Sequence, residues 1–451
     1  MSGSATGSEG DTLTWSMDST TQPSQPGKAL GSGCPGSCKV GNPVDVGTGN
    51  KFEQVTDYET AGQNKLSFTR YYNSRGNIGP TTLAATLGKN WRSTYDRYLR
   101  IVSTSSISIE RADGQILSFT LNGGSWTGDS DIDLKLTQAG STWTLKDNND
   151  TVETYSTVST TEAKLTSITA RNGFAQTLQY NSSGQLQSVT DSFNRNLNFT
   201  DQNGLLRSVS TPDGLVLTYG YTSSGVTTGV LDRLASVSYS TSPQTSQTYL
   251  YENGSLPFAL TGITDENGNR YATWVYDAAS RATSSQLGTG ADLTKVLYDD
   301  STGNRTVTNA LGVSEIYKFT TLQGVPKVTE IDRQATSTTS AATRFFTYDT
   351  NGYTASQTDW NGNKTSYIND VHGQPTTITE PTRATAISYD PTFIHLPHQI
   401  VTAGLTTTFG YDGSGNLITR NETDTTTQTH CCPNSRSNYW SIPRLSSRVR
   451  G

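Results

Sequence analysis

Residues 345–364 read FFTYDTNGYTASQTDWNGNK, and this stretch contains the pattern that decides the fold. Asp349 stands three residues before Gly352, and Asp359 stands three residues before Gly362. An Asp at the first position of a turn accepts hydrogen bonds from the backbone ahead of it, and a Gly at the fourth position takes the left-handed conformation. The residues between the two turns alternate in character, as strand residues do. The stretch therefore predicts two consecutive β-hairpin turns.

The same turn recurs from about residue 165 onwards, with a tyrosine in front of it roughly every 20 residues. One hairpin cannot bury its apolar face alone, so neighbouring units are predicted to pair into one long sheet. The tyrosine is predicted to anchor the returning strand with its hydroxyl at the rim, and stacking on sugar rings is the functional alternative. The repeat positions are Tyr180, Gly184, Tyr276, Asp277, Tyr298, Asp299, Tyr348, Asp349, Gly352, Tyr411, Asp412 and Gly415.

The composition agrees with an all-β protein. Of the 451 residues, 32% are hydrophobic and only 16% are charged, with a net charge of −6. Glu, Lys, Ala and Leu are too scarce for a helical bundle, and 9% aromatic residues with so little charge argue against an unfolded chain. No apolar run is long enough to span a membrane, and the mild acidity offers no basic surface for nucleic acid.

The pattern divides the chain into four segments. Residues 1–41 are polar and rich in Gly and Ser, which predicts a flexible leader without a visible secretory signal. Strand-like runs predict a β-rich N-terminal domain over residues 42–150, and the repeats predict a hairpin sheet, as a ribbon or a partial shell, over residues 151–429. Residues 430–451 contain four Arg and no acidic residue, so we expect a truncated or frame-shifted end, with a short basic binding tail as the alternative.

The order of these motifs resembles that of bacterial Rhs (rearrangement hot spot) proteins. The Tyr-Asp-x-x-Gly units look like the YD repeats of that family. Residues 41–51, 57–58, 66–74 and 87–91 look like the N-terminal domain of unknown function that precedes those repeats. The resemblance covers roughly residues 41–429.

The resemblance implies a β-sheet ribbon that spirals into a shell around a C-terminal toxin domain, in proteins that act in competition between bacteria. It also implies a secreted or cell-surface protein, a secretion apparatus as partner, and binding of surface carbohydrate. The predicted function is a non-enzymatic scaffold, a fragment of a polymorphic toxin, and the alternative is a stand-alone carbohydrate-binding cell-surface protein. The chain departs from the family in having few repeats, no Asp-Pro-x-Gly-Leu cleavage motif (Asp390-Pro391 is followed by Thr-Phe) and no recognisable toxin domain after the repeats.

The sequence offers few residues for catalysis. His395 and His398 could share a metal only if the chain turned tightly, and Pro397 excludes the helix of a metalloprotease motif, so ordinary loop histidines are expected. No Gly-x-Ser-x-Gly motif and no glycine-rich phosphate loop occurs. We therefore expect no enzyme activity and no cofactor.

Two further motifs could bind a metal ion. Residues 129–133 read DSDID, but Gly140 stands where an EF-hand loop needs its Glu, so a solvated strand edge is expected instead of a calcium site. Cys34 and Cys38 either form a local disulfide or are free thiols, because the next cysteine, Cys431, is too distant in sequence to suggest a zinc site. The sequence predicts no metal site.

Overall fold

The computed structural model describes residues 3–6, 12–15, 27–31, 38–76, 86–227, 229–288 and 290–424. Over these ranges the chain forms 37 strands joined by short turns, one 3-10 helix (Gly27–Ala29) and no α-helix. The all-β fold with repeated hairpins that the sequence predicts is confirmed.

The first seven strands form three small antiparallel sheets. They pair β1 (Gly3–Thr6) with β2 (Thr12–Trp15), β3 (Lys39–Val40) with β4 (Val44–Asp45), and β5 (Phe52–Glu59) with β6 (Ser67–Asn73) and β7 (Trp91–Ser93). We call residues 38–76 and 86–97 the N-terminal unit.

The remaining 30 strands form one antiparallel ribbon in which each strand pairs with the next along the chain. They are β8 (Tyr98–Ser103), β9 (Ser106–Glu110), β10 (Ile116–Asn122), β11 (Ser125–Thr127), β12 (Lys135–Ala139), β13 (Thr142–Lys146), β14 (Val152–Thr157), β15 (Glu162–Thr169), β16 (Ala175–Tyr180), β17 (Leu186–Asp191), β18 (Asn196–Gln202), β19 (Leu205–Ser210), β20 (Val216–Thr222), β21 (Arg233–Tyr239), β22 (Thr245–Leu250), β23 (Gly262–Thr264), β24 (Arg270–Tyr276), β25 (Ala282–Leu287), β26 (Ala291–Tyr298), β27 (Arg305–Thr308), β28 (Ser314–Leu322), β29 (Val325–Arg333), β30 (Ala342–Tyr348), β31 (Thr354–Thr358), β32 (Lys364–Asn369), β33 (Pro375–Thr379), β34 (Ala384–Tyr389), β35 (Pro397–Thr402), β36 (Leu405–Tyr411) and β37 (Leu417–Asp424).

The ribbon closes on itself near its beginning. Leu99 of β8 pairs with Ala163 of β15, so strands β8 to β15 form a ring from which the rest of the ribbon continues. The sheet crosses residue 150 without interruption, because β13 and β14 pair along their whole length. The predicted boundary at residue 150 is therefore not a break in the sheet, and the ribbon begins at Tyr98.

One face of the ribbon is apolar and covers the N-terminal unit. In β24, Ala272, Trp274 and Tyr276 are buried, whereas the residues between them are more exposed. These side chains share one core with Phe68 and Trp91 of the N-terminal unit. Burial then falls along the ribbon, and every residue of β37 is exposed.

Part of the predicted leader packs against the rest of the protein. Leu30 is buried, and the backbone N–H of Gly31 donates a hydrogen bond to Oδ1 of Asn73 at 2.9 Å. The flexible leader that the sequence predicts therefore does not extend over residues 27–31. Cys38 is disulfide-bonded, whereas Cys34 and the predicted tail at 430–451 lie outside the described residues.

Candidate functional site: the repeat turns and the buried junction

Each repeat turn is closed by one side-chain oxygen atom. After β30, Oδ1 of Asp349 accepts hydrogen bonds from the backbone N–H groups of Asn351 at 3.0 Å and Tyr353 at 2.9 Å. The N–H of Gly352 donates to the carbonyl oxygen of Asp349 at 3.0 Å. Gly352 has a φ of 88°, in the left-handed region that favours glycine. The turn is therefore specified by an Asp and a Gly three residues apart.

The other predicted turns follow this arrangement with two variations, a longer turn at Asp299 and Ser280 in place of glycine after Asp277. At Asn181, Asp277 and Asp412, the side-chain Oδ1 accepts hydrogen bonds from the backbone N–H groups of the second and fourth residues that follow. The turn at Asp299 is one residue longer, and hydrogen bonds from Ser301 and Thr302 lower the pKa of the Asp299 carboxyl to about 2. The left-handed positions are Gly184 (φ 77°), Ser280 (φ 60°), Gly303 (φ 77°) and Gly415 (φ 73°).

The repeat tyrosines bind the backbone of the strand or segment just before their own strand. Their hydroxyl groups donate to carbonyl oxygens at 2.6 to 2.8 Å, in the pairs Tyr180–Leu165, Tyr276–Leu260, Tyr298–Ala282, Tyr348–Val328 and Tyr411–Pro397. Tyr389 makes the same bond to Pro375 at 2.9 Å. Burial raises the pKa of Tyr348 and of Tyr411 to about 12. Each hydroxyl therefore bonds its own hairpin to the backbone of the strand or segment before it.

A buried ion pair joins the N-terminal unit to the ribbon. The guanidinium of Arg70 in β6 donates two hydrogen bonds to the carboxylate of Asp57 in β5, and neither side chain is exposed to solvent. Tyr219 and Tyr239 of the ribbon donate to the same carboxylate at 3.0 and 2.9 Å. Arg70 also donates to the hydroxyl of Tyr249 at 2.7 Å. We call these five side chains the buried junction.

Electrostatics at the buried junction keep Arg70 charged. Burial alone would lower the pKa of the guanidinium, but Asp57 and the hydroxyls of Tyr249 and Tyr219 outweigh it, and the pKa is raised. The guanidinium carbon also lies 5.1 Å from the centre of the Trp91 ring. The sequence interpretation missed this site, although an Arg inside the run LSFTRYY at 66–72 was a signal for a buried charge.

A second contact between the N-terminal unit and the ribbon lies at Trp274. The indole N–H donates to the carbonyl of Asn42 at 2.8 Å, and the ammonium of Lys51 lies 4.2 Å from the ring centre. Burial lowers the pKa of Lys51 to about 8, although its ammonium donates a hydrogen bond to the carboxylate of Glu53 at 2.6 Å. Burial likewise raises the pKa of Asp45 to about 6. The Lys51 side chain is fully enclosed at this contact.

A third buried cluster surrounds Glu153 of β14. Arg97 and Arg111 both donate to its carboxylate, and the hydroxyl of Tyr155 donates to it at 2.5 Å. Burial would raise the pKa of Glu153, but the two guanidinium groups lower it to about 2. The cluster connects the end of the N-terminal unit with β14 and with the turn between β9 and β10.

A cavity of about 270 Å³ lies between the N-terminal unit and the ribbon. Phe68, Tyr95 and Tyr180 line it, together with the carboxylate of Asp96. That carboxylate accepts hydrogen bonds from the backbone N–H of Ser93 at 2.6 Å and from other neighbours. The acidic group in the wall is therefore engaged in hydrogen bonds within the fold.

The alternating aspartates of residues 129–133 do not lie on a strand edge. They occupy the loop between β11 and β12, where the ammonium of Lys28 pairs with Asp129 at 2.8 Å and with Asp131. Asp131 is only 7% exposed, because the loop folds against Lys28 and against the turn at Gly352. The prediction of a solvated strand edge is wrong for Asp131.

His395 does not pair with His398. His395 lies beside His372, with ring centres 5.5 Å apart, whereas His398 is an exposed residue of β35. The carboxylate of Asp133 contacts both His372 and His395. His430 lies outside the described residues.

One family model matches part of the chain. Residues 41–119 match the domain of unknown function DUF6531. This match includes all the residues that the sequence interpretation compares with the N-terminal domain of Rhs proteins, and it contains both charged residues of the buried junction. The comparison with curated protein sequences finds no match.

Solved structures of toxin components are also similar to the chain. The crystal structure of TcdB2-TccC3 without its hypervariable C-terminal region is 12% identical, with 82% of this chain and 24% of that chain covered and a TM-score of 0.37. The crystal structure of TcdB2-TccC3 is also 12% identical, with 91% of this chain and 25% of that chain covered and a TM-score of 0.24. The structure of the Photorhabdus luminescens Tc holotoxin pore is 12% identical, with 82% of this chain and 22% of that chain covered and a TM-score of 0.23. The chain spans about a quarter of the length of these structures.

The part of the chain that the structure describes contains no helix with the length and apolar character of a membrane span.

Proposed function

We propose that the chain is a non-enzymatic scaffold from a secreted or cell-surface polymorphic toxin, the part in which an Rhs-type repeat ribbon begins to wind into a shell. The observation that carries the proposal is the buried junction, where the unit matching DUF6531 holds three tyrosines of the ribbon through Asp57 and Arg70. A toxin polypeptide that the shell encloses and a secretion apparatus are the proposed partners.

A scaffold is favoured over an enzyme by how the ionisable groups are used. In the buried junction and the cluster at Glu153, the carboxylates accept hydrogen bonds from Arg and Tyr of the same chain. The repeat carboxylates close turns in the same way. Groups that are already paired stabilise the fold and are poorly placed to transfer a proton to a substrate.

The alternative, a stand-alone carbohydrate-binding protein, receives less support. A sugar-binding row of tyrosines would present free hydroxyls beside the rings, whereas those of Tyr348 and Tyr411 donate to backbone carbonyls. Binding to a glycan array that is lost in Tyr348→Phe and Tyr411→Phe, with the fold retained, would favour the alternative.

The test is a competition assay in the source bacterium. We expect deletion of the gene to abolish inhibition of a susceptible neighbour in contact, and the unaltered gene to restore it. Asp57→Asn, which breaks the buried junction, should fail to restore inhibition, whereas Glu59→Gln, which removes an exposed charge from the same strand, should succeed. A deletion strain that inhibits its neighbour as strongly as the parent would contradict the proposal.

A further inference from the structure

Three loops that are far apart in sequence bring two histidines and a carboxylate together. Asp133 lies in the loop between β11 and β12, His372 in the turn between β32 and β33, and His395 in the loop between β34 and β35. One ligand atom from each residue can be chosen so that all three lie within 4.8 Å of one another. The three side chains are partly buried, with exposed fractions of 20%, 36% and 11%.

The distances between the ligand atoms fit a small metal ion. Nδ1 of His372 lies 2.8 Å from Oδ1 of Asp133, and Nε2 of His395 lies 3.5 Å from Oδ2 of the same carboxylate. Nitrogen and oxygen ligands about 2.1 Å from a tetrahedral zinc ion lie about 3.4 Å apart. The measured separations lie on either side of that value, so small movements of these three partly buried side chains suffice to bind the ion.

Tyr353 lies against the turn between β32 and β33 that contains His372. The ring of Tyr353 packs so closely against Gly373 that a Cβ atom there would lie 2.3 Å from the ring. Among the described residues, none accepts or donates a hydrogen bond at the buried hydroxyl of Tyr353. The turn that carries His372 is thus held closely by its neighbour, and a buried polar atom beside it remains without a hydrogen bond among the described residues.

We propose that Asp133, His372 and His395 form a binding site for a divalent transition metal, with zinc as the reference ion. Two imidazoles and one carboxylate are ligands that zinc prefers, whereas calcium takes oxygen ligands only. The neighbouring Asp129 and Asp131 pair with Lys28, and are not needed as ligands. A bound ion would cross-link the loop after β11 to two repeat turns more than 230 residues away. This inference does not depend on the proposed function.

The test is calorimetric titration of Zn²⁺ into the full chain after dialysis against a chelator. We expect one bound equivalent in the unaltered chain, and its loss in His372→Ala, His395→Ala and Asp133→Asn. His398→Ala is the matched control, because His398 is exposed and lies only three residues from His395; this variant should keep the bound equivalent. If an Ala variant fails to fold by circular dichroism, His372→Gln and His395→Gln replace it, with the same loss expected.

Several results would overturn the site. They are no zinc binding by the unaltered chain, binding that persists when both His372 and His395 are replaced, and binding that is lost in His398→Ala. Zinc bound by cysteines alone would persist when both histidines are replaced. Substitution with Co²⁺ adds an independent reading, because a tetrahedral site containing two imidazoles should give a visible absorption band that the three ligand variants lack.

Discussion

Replacing Asp57 by Asn tests whether the N-terminal unit and the ribbon are one folding unit. The amide keeps the shape of the side chain but loses the negative charge, and its NH₂ group cannot accept the hydrogen bonds that Arg70 donates. Both side chains have no solvent exposure, so water cannot replace the lost partner. Removing one member of a buried ion pair costs about 3–5 kcal/mol of stability, because the other charge is left uncompensated. We expect a loss of that size in the free energy of unfolding.

The matched control lies two residues further along the same strand. Glu59 pairs with Lys65, and their side chains are 42% and 48% exposed. An exposed ion pair contributes about 0–1 kcal/mol, so Glu59→Gln should lower the free energy of unfolding by less than about 1 kcal/mol. The two variants remove the same charge from the same strand and differ in burial.

The assay is urea unfolding at pH 7, monitored by tryptophan fluorescence, since Trp91 packs against Arg70. If Asp57→Asn does not fold, the double variant Asp57→Leu with Arg70→Met should be less destabilised, because it removes both buried charges. Equal unfolding free energies for Asp57→Asn and Glu59→Gln would refute the assigned role of the buried junction.

Three smaller predictions concern the repeats and the cluster at Glu153. Tyr348→Phe should lower the free energy of unfolding by about 1 kcal/mol by removing one buried hydrogen bond, whereas the exposed Tyr271→Phe should not change it in the same urea titration. Gly352→Ala should lower the free energy of unfolding by about 1–2 kcal/mol, because φ is positive at this residue. Gly413→Ala is the control and should leave it unchanged, because Gly413 has open space around it and no positive φ. Equal thermal unfolding of the two variants would contradict the turn assignment. Because the pKa of Glu153 is lowered to about 2, its ionisation should contribute about 3 kcal/mol to the free energy of unfolding above pH 4.5. This contribution should decrease as the pH falls towards 2. In urea titrations from pH 2 to 7, the stability of Glu153→Gln should therefore depend less on pH than that of the unaltered chain.

The turns could be predicted from sequence because their interactions are local. Asp349 and Gly352 specify a turn through hydrogen bonds that reach at most four residues. The buried junction could not be predicted in this way, since Asp57 binds Tyr219 and Tyr239 across 162 and 182 residues. The same reason explains the histidine pairing: Asp133 meets His372 across 239 residues, and no local pattern encodes that distance.

The hydrogen-bond acceptors of the repeat tyrosines could not be predicted from the sequence, for a related reason. The repeat showed that a tyrosine precedes a turn roughly every 20 residues, but its hydrogen-bond acceptor lies 14 to 20 residues earlier, on the backbone. A backbone carbonyl carries no sequence signal, because every residue has one. Side-chain recurrence therefore located the anchor but could not identify what it binds.

Two kinds of interaction, local and long-range, stabilise this ribbon. The turn and the tyrosine bond are both completed within one hairpin and its predecessor, so they can extend a ribbon of any length without a central core. The buried junction and the contact at Trp274 instead link the N-terminal unit to strands between β20 and β24, where burial is high. Beyond the reach of that unit burial declines to the fully exposed β37. Local bonds thus stabilise the sheet, and the N-terminal unit supplies the core around which its first part curves.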